Sequence, residues 1–347
     1  MRMLVCQTPV RLSMGGGGTD VAAYYEKFGG FWTSAAINQF VYLTVNVRND
    51  NNYVIKYSNV SERVTSIDEI EHAYFKNSLN MLGFDQWKHP LFRTRGLEIN
   101  VISDVKSKSG LGVSGAMTVG LLQILHTLRG EKTVSALNLA EEAYHVEHDL
   151  VGSTSTGKQD QYIAAFGGIT SFEINQQGEV NVIPLELHRH TISELEDNIM
   201  LFGTRLERKM TAQEALAKAT ANVGTSQGKS SNNQENYLST IKEIGLAQRD
   251  AMLNGQPDKF GELLHDHWEV KKQYSGAADP AIEHAYNLAR QAGAFGGKVI
   301  GASTQGAYMM FYSPAGKDKL RAIMDDLGMV EIPWSFEFNG SRIIHLH

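Results

Sequence analysis

The sequence has little cysteine and no excess of positive charge. Cys6 is the only cysteine in 347 residues, which excludes an intramolecular disulfide and a cysteine-based metal cluster. Acidic residues (38) outnumber lysines and arginines (32), and the formal net charge is -6. A protein with this balance has no global basic field that would attract nucleic acid or an anionic membrane surface. We therefore expect neither as a partner.

Long apolar runs are also missing. No run approaches the ~20 residues of a membrane-spanning helix, and the N-terminus lacks the apolar core of a signal peptide. The sequence contains no internal repeat and no low-complexity tract. The expectation is a soluble, cytoplasmic protein. Hydrophobic residues make up 42% of the chain, which is normal for a globular core, and the length allows one large domain or two.

The most informative stretch is Ser103–His126, which follows an alternating strand. It runs through a loop rich in glycine, serine and lysine and then continues as a helix with an apolar stripe. Glycines at the mouth of a helix let the backbone approach an anion, and the free N–H groups and helix dipole favour negative charge there. Ser114, in the first turn, can reach a metal ion or an oxygen. The stretch therefore predicts a phosphate-binding loop.

Other interpretations of this loop exist. The segment Gly110–Gly115 also fits the dinucleotide spacing G-x-G-x-x-G, which requires a following strand that ends in an acidic residue. After Gly130 the chain instead enters a second helical pattern, Val134–His148, which weakens that interpretation. A strand-to-helix turn without a ligand remains open. A second glycine pair, in Gly224–Ser230, has three residues between its glycines where a P-loop needs four, and we discard it.

Three acidic residues have both a functional and a structural interpretation. Asp20 follows the four glycines Gly15–Gly18 and is either a ligand-binding group or the N-cap of a short helix. Glu147 falls on the apolar stripe of its helix, where a carboxylate is costly unless it is paired or metal-bound. The alternative is a solvated residue at a frayed helix end. Asp160 lies near the start of the short helix Tyr162–Phe166, where it could simply stabilise the helix dipole.

The pattern of elements indicates an α+β protein. Phe40–Arg48 and Tyr53–Tyr57 are predicted to form a hairpin, and Leu97–Val105 to lead into the phosphate-binding loop. Further strands are predicted over Ile169–Ile174, Val180–Pro184 and Ile199–Gly203. Residues 208–290 are mostly helical, with helices that include Ala212–Val223 and Pro280–Ala292. Strands and one helix follow, and the strands Met329–Phe338 and Ser341–Leu346 close the chain. We place the domain boundary near residue 195, which gives an N-terminal domain of residues 1–195 and a C-terminal domain of residues 196–347.

Several motifs together resemble the GHMP small-molecule kinases, named for galactokinase, homoserine kinase, mevalonate kinase and phosphomevalonate kinase. Pro9-Val10-Arg11, with Gly16 and Thr19-Asp20, resembles the first family motif. The segment GLGVSGA, residues 110–116, resembles G-L-G-S-S-A-A. The segments AYHVE, residues 143–147, and GKQDQ, residues 157–161, resemble those that carry the metal-binding glutamate and the catalytic aspartate. Within the family, GGGTD, residues 16–20, and GKQDQYIAAFGG, residues 157–168, most resemble one branch. That branch is the D-glycero-D-manno-heptose 7-phosphate kinases, with related fucose and octose-phosphate kinases.

The chain departs from the family pattern in two places. In the phosphate-binding loop, Lys106 stands where the family usually has proline, and Lys108 where it has glycine. The third motif is usually G-A-G-G-G-G, whereas Gly301–Gly306 reads GASTQG. Both changes fall where phosphates and sugar should meet. Because Thr304 is β-branched, we expect a stiffer loop there and an acceptor site of different shape.

The resemblance implies a fold, an activity and a set of site residues. The fold is the two-domain GHMP kinase fold, with an N-terminal domain like ribosomal protein S5 and a ferredoxin-like C-terminal domain. The activity is transfer of the γ-phosphate of ATP, with Mg²⁺, to the anomeric hydroxyl of a sugar or sugar phosphate. The first acceptor to consider is D-glycero-D-manno-heptose 7-phosphate, and the enzyme is expected to be a monomer or homodimer. Asp160 would be the general base and Arg11 would stabilise the transferred charge, while Ser114 and Glu147 would bind the metal. The nucleotide would contact Lys108, Ser109, Gly110, Leu111, Gly112, Val113, Ser114 and Gly115.

The acceptor site is expected to combine residues from the first and third motifs with one neighbour of Asp160. The assigned residues are Gly17, Gly18, Thr19, Asp20, Gln159, Thr304 and Gln305. A phosphorylated sugar would need a further cation, for which Arg205 and Arg208 are candidates. Two other functions remain open: a weakly active homologue that senses a sugar or nucleotide, and a nicotinamide oxidoreductase that uses the glycine loop.

Overall fold

The protein has two β-sheets with helices packed on them. The computed structural model describes residues 3–88, 94, 96–131, 133–204 and 229–346. Most strand pairs in both sheets are antiparallel. This arrangement is α+β, as the sequence predicts. Within the described ranges, no helix has the length and apolar character needed to cross a bilayer.

Two long strands form the centre of the first sheet. Strand β1 (Met3–Gly15) pairs with β2 (Gly30–Val47), and helix α1 (Ala22–Phe28) lies between them in sequence. The β2 side chains alternate between buried and partly exposed positions after Gln39, as a strand with one covered face requires. The first part of β2 pairs with β6 (Ile169–Ile174) and the last part with β5 (Leu97–Ser103). The end of β5 thus lies in the same sheet as β1.

The predicted hairpin between the second and third strands is wrong. Strand β3 (Tyr53–Tyr57) pairs in antiparallel fashion with β4 (Val60–Val64) and in parallel with β5, and β5 lies between β2 and β3. Both strands that were assigned to the hairpin exist. Their pairing depends on β5, which is far along the chain, and short-range turn signals carry no information about such a partner.

Helices cover the first sheet and place the site residues. They are α2 (Ala73–Met81), α3 (Val113–Leu128), α4 (Ala136–His145) and α5 (Gln159–Phe166). Helix α4 continues as a π-helical turn, Val146–Leu150. Helix α3 is buried along most of its length and packs on the central strands, where Thr8 and Leu43 leave no room for a Cβ at Gly120. The predicted phosphate-binding loop therefore lies between β5 and a buried helix.

The second sheet is built from the later part of the chain. Its strands follow the order β11 (Val330–Glu331), β8 (Ile199–Gly203), β10 (Tyr308–Tyr312) and β9 (Gly296–Val299). Helices in this part of the chain are α6 (Arg189–Asn198), α7 (Lys229–Leu253), α8 (Pro257–Ser275), α9 (Pro280–Ala292) and α10 (Lys317–Asp326). The first sheet also contains β7 (Val180–Pro184), which pairs with β6.

The end of the chain departs from the sequence prediction. A continuous strand over Met329–Phe338 is wrong, because only Val330–Glu331 forms a strand and Phe336 makes an isolated bridge to Ile37. The last strand, β12 (Arg342–Leu346), pairs with β1 and so belongs to the first sheet. The proposed domain division at residue 195 lies within α6 and stays a prediction. The helix predicted over residues 212–223 lies outside the described residues.

Candidate active site

The phosphate-binding loop leads directly into the N-terminus of helix α3. Gly110 and Gly112 have φ of +85° and +80°, which glycine adopts without the Cβ penalty. Helix α3 begins at Val113, and no side chain caps its N-terminus. Its first N–H groups are therefore available to an anion. Lys108, where the family has glycine, also has a positive φ of 59°, so this lysine keeps the backbone conformation that glycine favours.

Arg11 and Asp160 meet beside this loop. The Nε and Nη2 atoms of Arg11 donate to Asp160 Oδ1 at 2.9 and 2.5 Å. Arg11 Nη1 donates to the carbonyl of Gly110 at 2.5 Å, and the Arg11 backbone N–H donates to Leu111 O at 2.9 Å. The arginine thus joins the carboxylate to the phosphate-binding loop. The Asp160 side chain is 24% exposed, which leaves it accessible from the cavity.

Two glycines allow this close approach. A Cβ at Gly112 would lie 3.2 Å from Asp160 Cγ, and one at Gly115 would lie 2.7 Å from Asp160 Cβ. A side chain at Gly115 would therefore force α3 and α5 apart. Gly115 therefore sets the distance between the loop and Asp160.

Asp20 does not cap helix α1. The N-cap of that helix is Val21, whereas Asp20 Oδ1 accepts from Gly18 N and Asp20 Oδ2 from Gln159 N, both at 2.9 Å. Asp20 is 5% exposed, and burial raises the pKa of its carboxyl. It connects the glycine loop of β1 to the first turn of α5. Each carboxylate oxygen can accept a further hydrogen bond from a ligand.

Glu147 is buried, which favours the functional interpretation of this residue over a solvated helix end. It is 3% exposed and lies in the π-helical turn, a feature often found at functional sites. Its Oε1 accepts from Tyr74 Oη at 3.0 Å and from Ser114 Oγ at 3.4 Å, and its Oε2 accepts from Gln161 Nε2 at 2.6 Å. Ser114 and Glu147 therefore meet at the start of α3. Two oxygen ligands beside a phosphate loop suit Mg²⁺, which usually completes its coordination with phosphates and water.

A cavity of about 1100 Å³ unites these groups. Arg11, Asp20, Glu147 and Asp160 all line it. So do most of the other predicted nucleotide and acceptor residues: Gly17, Gly18, Lys108, Ser109, Gly110, Gly112, Val113, Ser114 and Gln159. The Gln159 side chain is buried, and its Nε2 has no partner among the described residues. It therefore keeps a donor for a ligand in the cavity.

Five of the predicted residues do not line this cavity. Leu111 is fully buried within the loop, and Gly115 packs against Asp160. The Thr19 hydroxyl is within 2.8 Å of both Gly16 O and Phe31 O, so it joins the glycine loop to strand β2. The remaining two, Thr304 and Gln305, belong to the third motif. Arg205 and Arg208 lie outside the described residues.

The third motif forms the turn between β9 and β10. Gly301 and Ala302 line the cavity, and a Cβ at Gly301 would lie 2.8 Å from Gly110 Cα. Ser303 Oγ accepts from Gln305 N at 2.9 Å, and Thr304 Oγ1 donates to Ala277 O at 3.4 Å. The start of the motif therefore supports the phosphate-binding loop. Ser303 bonds within its own turn, and Thr304 bonds to the chain after α8. The predicted contact of Thr304 or Gln305 with an acceptor stays a prediction.

The sequence analysis missed a basic cluster that also lines the cavity. His267, Lys271 and Lys298 line the cavity and are each less than 5% exposed. Helix α8 contributes the first two residues and β9 the third. The available signal was a lysine within the apolar strand Gly296–Val299 and an i, i+4 pair of basic residues beside the buried Trp268. Lys298 lies on a different element from this pair, so nothing in the pattern placed the three residues together.

Comparison with known proteins decides the family. The protein-family model described as "GHMP kinases N terminal domain" matches residues 73–168. A second family model, "GHMP kinases C terminal", matches residues 248–328. The two matches together span about half of the chain, in the order the family requires. The chain belongs to the GHMP kinases. The two-domain GHMP kinase fold expected from the sequence is confirmed.

Several relatives match this GHMP kinase over nearly its whole length. It is 28% identical to D-glycero-alpha-D-manno-heptose 7-phosphate kinase of Campylobacter jejuni, with 99% of each chain covered. A solved structure described as D-glycero-D-manno-heptose 1-phosphate kinase from Bacteroides thetaiotaomicron is 26% identical, has a TM-score of 0.78 and covers 99% of each chain. The chain is also 26% identical to L-fucokinase/L-fucose-1-P guanylyltransferase of Bacteroides fragilis. That match covers 92% of this chain but only 36% of the longer protein.

Proposed function

We propose that this GHMP kinase transfers the γ-phosphoryl group of ATP to the anomeric hydroxyl of a sugar or sugar phosphate. D-glycero-D-manno-heptose 7-phosphate is the first acceptor, and the product is the 1,7-bisphosphate used for nucleotide-heptose biosynthesis. The observation that carries the proposal is the Arg11–Asp160 pair at the end of the phosphate-binding loop, in a cavity large enough for both substrates. The heptose kinase relatives support the choice of acceptor.

The arrangement suits phosphoryl transfer, which depends on positioning and charge stabilisation more than on covalent chemistry. The loop from Lys108 to Ser114 and the N-terminus of α3 hold the phosphates of ATP. Ser114 and Glu147 would bind Mg²⁺, which would neutralise phosphate charge when it is present. The Asp160 carboxylate accepts the proton of the attacking hydroxyl.

The remaining residues position the acceptor and the transferred group. The Arg11 guanidinium lies between Asp160 and the loop, where it offsets negative charge on the transferred group. Asp20 accepts hydrogen bonds from sugar hydroxyls, and the Gln159 amide donates to them. Gly17 and Gly18 leave room for the sugar ring. The reacting hydroxyl would thus lie between Asp160 and the phosphate-binding loop.

Another anomeric sugar is the second candidate acceptor, because the Bacteroides fragilis relative carries the name L-fucokinase. A screen of ATP consumption with heptose, fucose, galactose and octose phosphates, and with the corresponding free sugars, tests the proposal. We expect Mg²⁺-dependent ADP formation with at least one of them. Binding of a sugar or nucleotide without turnover across the whole panel would favour a ligand-sensing homologue instead.

A further inference from the structure

The basic cluster, defined as His267, Lys271 and Lys298, is not used by the proposed chemistry. All three side chains are more than nine-tenths buried, yet each lines the cavity. His267 and Lys271 lie one turn apart on α8, so they present their side chains on the same side of the helix. Lys298 reaches them from β9, with its Nζ 3.4 Å from His267 Nδ1. The cluster therefore concentrates cationic and donor groups at one point of the cavity wall.

Lys298 is poorly satisfied by its protein neighbours. Its other contact is with the carbonyl of Met14, also at 3.4 Å, whereas an ammonium group can make three hydrogen bonds. None of the carboxylates in the described ranges forms an ion pair with it. Burial and the nearby Arg11 lower the pKa of Lys298 to about 7. Burying a charge without a partner is costly, so such an arrangement is typical of a site that receives an anion.

Lys271 adds a second cationic group beside Lys298, and His267 adds a neutral hydrogen-bonding group. Burial, Lys298 and Lys271 together keep the pKa of His267 well below its usual value, so the imidazole is neutral and can donate or accept a hydrogen bond. Lys271 Nζ donates to Val299 O at 2.8 Å and to Gly301 O at 2.5 Å. These two bonds fix the lysine at the end of β9, beside the third motif.

The cluster lies between the glycine loop at the end of β1 and the phosphate-binding loop. Met14, which Lys298 contacts, is three residues after Arg11 and directly precedes the glycine loop that leads to Asp20. On the other side, Gly301 packs on Gly110. A ligand whose hydroxyl approaches Asp160 can therefore place a second group against the cluster. The ATP phosphates already have the N-terminus of α3 and Ser114 as binding groups.

We propose that the basic cluster binds a phosphate group carried by the acceptor, so that the substrate is a sugar phosphate rather than a neutral sugar. This inference rests on the proposed function. A phosphate dianion offsets the repulsion among Arg11, Lys271 and Lys298, whereas a neutral hydroxyl does not. The same chemistry could come from a phosphate of the nucleotide, and the test separates the two sources.

The test compares wild type with Lys298→Met, which keeps the length of the side chain and removes the charge. Lys242→Met is the matched control, because Lys242 bonds to Phe28 O and Gly29 O and does not line this cavity. Initial rates are measured with D-glycero-D-manno-heptose 7-phosphate, with the free heptose, and with varied ATP. We expect Lys298→Met to raise KM for the heptose phosphate about 10- to 100-fold, the usual range for a lost hydrogen bond to a charged group. The KM for ATP and the kcat/KM for free heptose should stay at the wild-type values.

Two kinetic outcomes would overturn the inference. A rise in KM for ATP, with the KM for heptose phosphate unchanged, assigns the cluster to the nucleotide. Equal losses with the phosphorylated and free heptose show that the cluster does not recognise the acceptor's phosphate.

Direct binding separates this inference from the proposed function. Isothermal titration of heptose 7-phosphate and of free heptose, without ATP, needs no turnover. We expect the phosphorylated sugar to bind at least 10-fold more tightly to wild type, and Lys298→Met to abolish that difference. Equal affinity of the two sugars for wild type refutes the role of the cluster. Phosphate-dependent binding without any turnover supports the cluster and refutes the kinase activity.

The titration should also depend on pH. Besides Lys298, the groups at this point are Arg11 from β1 and His267 and Lys271 from α8. Because the dianion favours the protonated ammonium, binding should take up a proton when the pH is above the Lys298 pKa of about 7. Affinity for heptose 7-phosphate should fall between pH 7 and 9 in wild type more than in Lys298→Met. Equal pH dependence in the two proteins would contradict the cluster's role.

Discussion

Arg11 donates two hydrogen bonds to a single carboxylate oxygen of Asp160, from Nε at 2.9 Å and from Nη2 at 2.5 Å. The second oxygen of Asp160 is outside this pair. A carboxylate held in this way has a fixed orientation and keeps acceptor capacity for a hydroxyl proton. The pair thus joins strand β1, the phosphate-binding loop and helix α5 at the position where transfer is proposed.

Replacing Asp160 tests its role as general base. Asp160→Asn removes proton acceptance but little volume, and kcat should fall about 10²- to 10⁴-fold. Affinities for ATP and sugar, measured by isothermal titration, should change little. Asp149→Asn, on the exposed side of the π-helical turn, is the control and should retain wild-type kcat. A modest loss of kcat together with a large loss of stability would identify Asp160 as a helix-stabilising residue.

Glu147 and Ser114 should act together on the metal. Glu147→Gln keeps the shape of the side chain and removes its charge, and Gln161, whose Oε1 has no partner among the described residues, can turn its amide to suit the new side chain. We expect lower kcat and a higher Mg²⁺ concentration for half-maximal rate, with the melting temperature little changed. Ser114→Ala should give a weaker effect of the same kind. Mg²⁺ titrations that match wild type for both variants would rule out this metal site.

The pKa of Lys298 predicts a pH-dependent stability. Folding lowers this pKa to about 7 from the ordinary value of 10.5, so between these pH values the folded protein binds fewer protons than the unfolded chain. Lysine at this position therefore becomes less destabilising as pH rises through that window, and is most destabilising below pH 7. Lys298→Met should be more stable than wild type at pH 7, and the difference should narrow towards pH 10. Urea denaturation at four pH values measures the difference in free energy of unfolding between the two proteins. A difference that does not change with pH would contradict the lowered pKa of Lys298.

Thr304 and Gln305 can be tested singly. Because neither side chain lines the cavity, Thr304→Val and Gln305→Ala should leave the order of preference among sugars and the KM for ATP unchanged. The valine removes the hydroxyl bond to Ala277 O, so a small loss of stability is expected for that variant alone. A changed order of preference would restore the acceptor-binding role predicted from the sequence.

Local patterns predicted much of this structure. The strands Tyr53–Tyr57, Ile169–Ile174, Val180–Pro184 and Ile199–Gly203 and the helix Pro280–Ala292 have the bounds that were predicted from their apolar patterns and from glycine and proline signals. These signals are local, so they fix where an element begins and ends. Pairing between elements was predicted less well, as the position of β5 between β2 and β3 shows.

The motifs identified residues that the fold brings together, while the roles of these residues stay predictions. Arg11, Ser114, Glu147 and Asp160 converge on one cavity, although they come from four different segments of the chain. The basic cluster could not be predicted, because Lys298 becomes a cavity residue only when β9 packs against α8. Thr19 shows the reverse case, since this motif residue bonds to the backbone of Gly16 and Phe31 and does not line the cavity.

The most direct test of the proposed function is phosphorus NMR of the reaction product. The protein is incubated with ATP, Mg²⁺ and D-glycero-D-manno-heptose 7-phosphate, and the coupling of each new phosphorus signal to sugar protons is recorded. A new phosphorus resonance coupled to the anomeric proton, absent with Asp160→Asn at equal enzyme concentration, is the predicted result. A phosphate on any other hydroxyl, or an anomeric product formed equally well by Asp160→Asn, would contradict the proposal.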